Sequence, residues 1–131
     1  HLGQTDMPPA EARRLLGPHA LIGLSVETWA DVEAAGQAPV NYLGVSPVFP
    51  TPTKTDTQSP WGLEGLRRIR RATDLPLVGI GGLNPENADR VIRAGADAIA
   101  VVSAVCSAKD PFGAARKLVG LFRTTYKEDH P

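Results

Sequence analysis

Cysteine is almost missing from this chain. Its one thiol, Cys106, has no partner for an internal disulfide and no second thiol for a metal site. A small buried apolar role is the expectation for it. An excess of charge of either sign is also lacking, because 14 Lys and Arg balance 14 Asp and Glu. With zero net charge and only 5% aromatic residues, composition gives no support to a nucleic-acid surface, and no nucleic-acid partner is expected. The cluster Arg67, Arg68, Arg70 and Arg71, close to Glu64 and Asp74, reads as the wet face of a helix. No apolar run approaches the ~18 residues that would span a bilayer, so no membrane partner is expected either. The opening His1-Leu2-Gly3-Gln4 lacks the layout of a signal peptide, and a cytoplasmic setting is the expectation. What remains is 131 residues with 42% apolar content, enough for one globular domain over 1–131 with its own core.

The most informative stretch is Val45–Asp56. An apolar run, Tyr42–Val45, stops at Ser46-Pro47, and the loop that follows carries Pro47, Pro50, Pro52, Thr51, Thr53, Thr55 and Lys54. Proline fixes φ and lowers the entropy lost on ordering, so such a loop is stiff without regular structure. Hydroxyl donors beside an ammonium, at the end of a strand, suit a phosphate or diphosphate. The plain alternative is a solvated loop in which Lys54 has no task.

Along the chain, short apolar runs alternate with helical patterns. His1–Gln4 looks like the tail of a strand. Asp6 is placed to cap or precede a helix running to Leu16, with Pro8 and Pro9 in its first turn and Gly17 at its exit. Ala20–Val26 is of strand length. Thr28 with Asp31 forms a capping box for Trp29–Ala35, which Gly36 stops. Tyr42–Val45 is the next strand. Leu63, Leu66 and Ile69 then recur at helical spacing with the arginines pointing away, and Pro76 precedes the strand Leu77–Ile80. Gly81-Gly82 turns into a helix capped by Asn84, with Pro85 at its first position and Gly95 after its end. Asp97–Val102 is the last strand. A final helix starts at Asp110-Pro111 and runs to about Phe122, leaving residues 123–131 as a fraying tail. Continuous apolar strands joined by helices predict a parallel sheet buried on both faces.

In parallel α/β folds ligands bind at the C-terminal ends of the strands. Those ends carry Asp6, Ser25, Thr51, Thr53, Lys54, Gly81-Gly82 and Ser103, one polar or glycine-rich group per strand. Gly82 lets backbone approach a ligand closely, and Ser103 with its neighbouring amides suits a phosphate. Each of these has an ordinary structural alternative, as a helix cap for Asp6 and as backbone-bonded hydroxyls for Ser25 and Ser103.

Several segments resemble the thiamine phosphate synthase family. They are His1–Asp6, Gly23-Leu24-Ser25, Gly44–Lys54, Gly62–Gly65, Ile80–Leu83, Gly95–Ala98 and Val102–Ala104, in the family's order and spacing from residue 1 to about 122. The string Pro-x-x-Pro-Thr-x-Thr-Lys, from Pro47 to Lys54, is the most specific of them. The resemblance implies a (β/α)₈ TIM barrel, of which this chain would be the C-terminal part, from the end of strand four through helix eight. It implies the joining of 4-amino-2-methyl-5-hydroxymethylpyrimidine diphosphate to a thiazole phosphate, with loss of diphosphate and with Mg²⁺ as cofactor. Asp6 would then be one of two magnesium aspartates, and Ser25 and Lys54 would bind the pyrimidine diphosphate and act in catalysis. Thr51, Pro52, Thr53, Gly82, Val102 and Ser103 would hold the thiazole phosphate.

Two departures bear on this. A barrel of this kind takes ~200 residues or more, so the chain alone is expected to be catalytically incomplete and prone to form a homo-oligomer. Glu27 stands where related proteins often carry a histidine, which weakens the alternative of a thiazole tautomerase on the same barrel. His19 and His130 sit in a loop and in the tail and are not expected to be catalytic. A non-catalytic phosphate-binding fragment is the third reading.

Overall fold

The computed structural model describes residues 1–52 and 59–129. The expected sites Thr53 and Lys54, and also His130, lie outside the described residues.

Helix α1, Pro9–Leu16, opens on prolines and closes at Gly17, whose φ of 84° suits a residue without Cβ. Strand β1 is Gly23–Val26, three residues shorter at its start than the apolar run. Leu21 is 80% exposed, and pairing begins only where Gly23 meets Tyr42. Helix α2, Trp29–Ala35, carries the expected capping box. The Thr28 hydroxyl accepts from Asp31 N, and the Asp31 carboxylate accepts from Thr28 N at 2.8 Å. Strand β2 is Tyr42–Val45, helix α3 Gly62–Ala72 and strand β3 Leu77–Ile80.

Helix α4 is Ala88–Arg93, so it starts later than a cap at Asn84 would place it. Asn84 and Asn87 engage each other instead: Asn87 Oδ1 accepts from Asn84 N, and Asn84 Oδ1 accepts from Glu86 N. These local bonds satisfy the turn before the helix can begin. Strand β4 is Ala98–Ala100 and is followed by a short helix, α5, over Ser103–Cys106, which the sequence pattern did not suggest. Cys106 on it is exposed, contrary to the buried role expected of it. Helix α6, Pro111–Asp129, continues well past Phe122.

The four strands form one parallel sheet in the order β1-β2-β3-β4, and Leu2 adds a parallel bridge to Leu24 at the β1 edge. The fold class is therefore α/β. The register puts Ser25, Gly44, Val78 and Ala98 abreast. Side chains alternate across a strand, so this row and its i±2 neighbours share one face. The opposite face, with Leu24, Val26, Leu43, Val45 and Leu77, is buried under Ala12, Val32, Leu66, Ile69 and Val91 of the helices. The face with Ser25, Tyr42, Val78 and Ile80 is only half-buried. The expectation of a sheet buried on both faces thus holds for one face, and the other is free to carry polar groups.

The arginines of α3 do more than wet its surface. Arg70 Nη1 donates to Asp97 Oδ2 at 2.9 Å, and its Nη2 donates to the carbonyls of Thr73 and Leu75. Arg68 lies 3.9 Å over the Trp29 ring, joining α3 to α2. Among the described residues, no helix is long and apolar enough to cross a membrane.

Candidate functional site

The loop after β2 is held against the exit of β3 by backbone hydrogen bonds. The Ser46–Pro47 peptide is cis. Val48 N donates to Ile80 O at 2.8 Å and Phe49 N to Gly81 O at 3.1 Å, extending the β2–β3 pairing beyond both strands. Trp61 N and Gly62 N return bonds to Pro47 O and Val48 O, and Trp61 Nε1 donates to Val26 O at 3.1 Å. The start of the proline-rich loop is therefore fixed at both of its flanks.

Across from it, Gly81 and Gly82 have φ of 93° and 67°, a region that L side chains rarely adopt. Space also requires glycine here. A Cβ on Gly82 would lie 2.6 Å from Pro50 O, and one on Gly81 would lie 2.8 Å from Pro47 Cβ. The turn after β3 and the loop after β2 touch through backbone because neither glycine carries a side chain. Asn87 Nδ2 donates to Gly82 O at 2.9 Å and holds the turn from the α4 side.

These strand ends enclose a cavity of about 210 Å³. Thr51 and Ser46 line it from the β2 loop, Gly81–Leu83 from the β3 turn, and Ala100–Ser103 from the β4 exit. Four residues singled out in the sequence, Thr51, Gly82, Val102 and Ser103, thus come together. Pro52 is exposed and outside the lining. None of the described lining residues is charged, so an anion in this space would be met by hydroxyls and backbone N–H groups. Ser103 also opens α5, and the first amides of a helix have no intrahelical acceptor.

Ser25 is not part of that lining; it sits on the half-buried face of the sheet. Its Oγ is 2.8 Å from His1 Nε2, and His1 Nδ1 is 3.0 Å from the Tyr42 hydroxyl. The two rings stack with centroids 5.5 Å apart. Gln4 Nε2 donates to the Ser25 carbonyl at 2.5 Å. The sequence reading missed His1 and Tyr42. The available signal was a glycine in each of two neighbouring strands, Gly23 and Gly44. A Cβ on Gly23 would lie 2.0 Å from the Tyr42 ring, and one on Gly44 would lie 2.9 Å from His1 Cε1.

Asp6 does not cap α1, whose N-cap is Pro8 without a side-chain bond. Its Oδ2 accepts from Gly3 N at 2.6 Å, closing the turn between the Leu2 bridge and α1. Among the described residues, no group of three or more His, Cys, Asp or Glu could hold a metal ion. Glu27 N donates to Asp31 Oδ2 at 3.0 Å, which ties this position to the α2 cap.

Comparison with known proteins gives a consistent picture. A family model described as thiamine monophosphate synthase matches residues 1–105. The thiamine-phosphate synthase of Albidiferax ferrireducens is 63% identical over 118 residues, which are 90% of this chain and 54% of that protein. That of Vibrio campbellii is 45% identical over 123 residues, 94% of this chain and 60% of that protein. Among solved structures, the thiamine phosphate pyrophosphorylase of Pyrococcus furiosus superposes with a TM-score of 0.85 at 39% identity, over 95% of this chain and 58% of that one. The chain spans between half and two thirds of the length of these relatives.

Proposed function

The chain belongs to the thiamine monophosphate synthase family, and from that premise we propose that it serves thiamine phosphate synthesis. In that reaction a pyrimidine diphosphate and a thiazole phosphate are condensed and diphosphate leaves. The observation that carries this reading is the 210 Å³ cavity in which Thr51, Gly82, Val102 and Ser103 meet, small enough for a phosphate and lined for one. Thr51, Thr53, Gly82, Val102 and Ser103 would hold the thiazole phosphate, while Pro52 shapes the loop. Ser25 and Lys54 would hold the pyrimidine diphosphate.

The chemistry asks little covalent work of the protein. The bond from the pyrimidine methylene to the diphosphate oxygen breaks, its electron pair leaves with the diphosphate, and the thiazole nitrogen donates its lone pair to the methylene. Negative charge grows on the leaving group, where the Lys54 ammonium would offset it. Anchoring the thiazole by its phosphate in the cavity keeps its nitrogen in line with the carbon it traps. Mg²⁺ is commonly held by one or two carboxylates with waters and substrate phosphates, so Asp6, with one oxygen engaged by Gly3 N, fits as a single ligand. When bound, the ion would neutralise charge on the departing diphosphate.

We read the chain as the C-terminal part of a (β/α)₈ barrel, from the end of strand four through helix eight, catalytically incomplete by itself. The single Leu2–Leu24 bridge at one edge, the outer side of β4, which pairs with no further strand among the described residues, and the half-buried sheet face support this. So does an apolar cleft of about 460 Å³ between β4 and α6, lined by Ile99, Leu118, Val119 and Phe122. The remaining barrel strands would cover that cleft, or a second copy would in a homo-oligomer. The proposed setting is the cytoplasm.

One observation favours a second reading, a thiazole tautomerase on the same barrel. His1, 24 residues away in the chain, puts an imidazole on Ser25. One experiment separates the two. A chain extended N-terminally to the length of its relatives is assayed with both substrates and Mg²⁺, with and without Lys54→Ala. Synthase function predicts a loss of kcat of ~10²-fold or more, with thiazole phosphate binding nearly unchanged. Equal loss of both would mean the lysine is misassigned. Thiazole isomerisation without the pyrimidine diphosphate would favour the tautomerase.

A further inference from the structure

We infer that His1 is a positioning residue that turns the Ser25 hydroxyl into a donor for an anionic oxygen, and that Tyr42 sets the histidine tautomer needed for this. The inference rests on the proposed role of Ser25 at the pyrimidine diphosphate. It starts from two hydrogen bonds on one ring: Tyr42 O–H at Nδ1, 3.0 Å, and Ser25 Oγ at Nε2, 2.8 Å. A neutral imidazole has one N–H and one lone pair, so it donates to one of these hydroxyls and accepts from the other.

The choice between them follows from acidity. A phenol, titrating near ~10, is a much stronger hydrogen-bond donor than an aliphatic alcohol. The lone pair is therefore best used at Nδ1, accepting from Tyr42, which leaves the proton on Nε2 to donate to Ser25 Oγ. With its oxygen occupied as an acceptor, the serine hydroxyl keeps its own hydrogen for a ligand. The opposite tautomer would have Ser25 donate to Nε2 and present only lone pairs, which would repel a phosphate oxygen.

The surroundings are built for this chain of groups. Ser25 is fixed through its backbone, with its N–H on Leu2 O at 2.9 Å and its carbonyl on Gln4 Nε2. The rings of His1 and Tyr42 occupy space that side chains at Gly44 and Gly23 would fill. In the sheet register Gly23 is the partner of Tyr42, and Gly44 is the partner of Ser25. Two strand glycines thus clear a shelf on which both rings stack beside the hydroxyl they govern.

The test combines a spectroscopic readout with binding. Nitrogen-15 shifts of the His1 ring are recorded near pH ~8, where an ordinary imidazole is neutral. They should show a protonated Nε2 and a bare Nδ1. Tyr42→Phe removes one oxygen and keeps the ring, and it should move the population toward Nδ1–H. Inorganic diphosphate with Mg²⁺ is the binding probe, read by calorimetry. Ser25→Ala should weaken it about tenfold and Tyr42→Phe about fivefold, the range for losing a bond to a charged group and a neutral one. His1→Gln, which keeps an N–H donor, should retain more affinity than His1→Ala.

A bare Nε2 in the unsubstituted chain overturns the inference. So does diphosphate affinity that falls with Ser25→Ala and is untouched by Tyr42→Phe, and that outcome leaves the proposed function standing. If Ser25→Ala has no effect, or diphosphate does not bind at all, the substrate role of Ser25 fails and the inference falls with it.

Discussion

Replacing Gly82 by alanine tests whether the cavity at the strand ends is built for a ligand. Two costs add at this position. An L residue at φ 67° costs roughly 1–2 kcal/mol relative to glycine. The new methyl would also sit 2.6 Å from Pro50 O and 2.8 Å from Phe49 Cβ. The nearest atom is a backbone oxygen that no rotamer change can remove, so the loop must move. Overpacking of that kind costs typically ~1–3 kcal/mol. Gly82→Ala should therefore lower stability by about 2–5 kcal/mol in urea unfolding, and the displaced loop takes Thr51 with it.

Gly17→Ala is the control. Its φ is 84°, yet nothing lies within 4 Å of the added methyl. With ψ at 176° it should cost only a backbone term of about 1–3 kcal/mol. Calorimetric titration with thiazole phosphate, below the unfolding range of each variant, should show at least about tenfold weaker binding for Gly82→Ala, the equivalent of ~1.4 kcal/mol. Gly17→Ala should bind as the unsubstituted chain does. Equal affinity in all three would refute the assignment of the cavity, whatever the stabilities.

Three further outcomes follow from the packing. Arg13 donates to Gly17 O, Ala20 O, Pro39 O and Asn41 Oδ1, tying two loops to α1, so Arg13→Lys should lose about 2 kcal/mol in urea unfolding because an ammonium lacks the planar fork. Asp97→Ala should cost about 2 kcal/mol, since Leu77 N loses its acceptor along with the Arg70 pair, whereas Asp97→Asn keeps an acceptor and should cost less. Glu64 is exposed, and its hydrogen bond to Arg71, helped by Arg67, holds its carboxyl below the usual 4.5. Its small contribution is present above the unfolded value and lost as pH falls through the lower folded one, so the margin of the unsubstituted chain over Glu64→Gln should vanish with acidification.

Much of the architecture could be read from the residues, because local and tertiary demands agree. The Thr28–Asp31 box, the prolines at the start of α1 and the glycine at its exit act within a few residues and appear as expected. Of the expected phosphate residues, Thr51, Gly82, Val102 and Ser103 converge because each follows a strand of the same parallel sheet. Two of the misreadings come from partners distant in sequence, and two from local structure. Arg70 looked like surface charge until Asp97, 27 residues on, supplied its acceptor. His1 gained its role from Ser25 and Tyr42 on two neighbouring strands. Asp6 fitted a cap by spacing, but a nearer donor, Gly3 N, engages its carboxylate. Cys106 fitted a core position by composition, yet α5 turns it outward.

The central claim is that the cavity between the β2 loop, the β3 turn and the β4 exit receives the phosphate of a thiazole phosphate. Amide shifts recorded while thiazole phosphate is titrated into the protein test it most directly. The account predicts saturable shifts concentrated at Thr51, Gly81, Gly82, Val102 and Ser103, reversed by excess inorganic phosphate. Shifts confined to the apolar cleft along α6, or none at all, would contradict it.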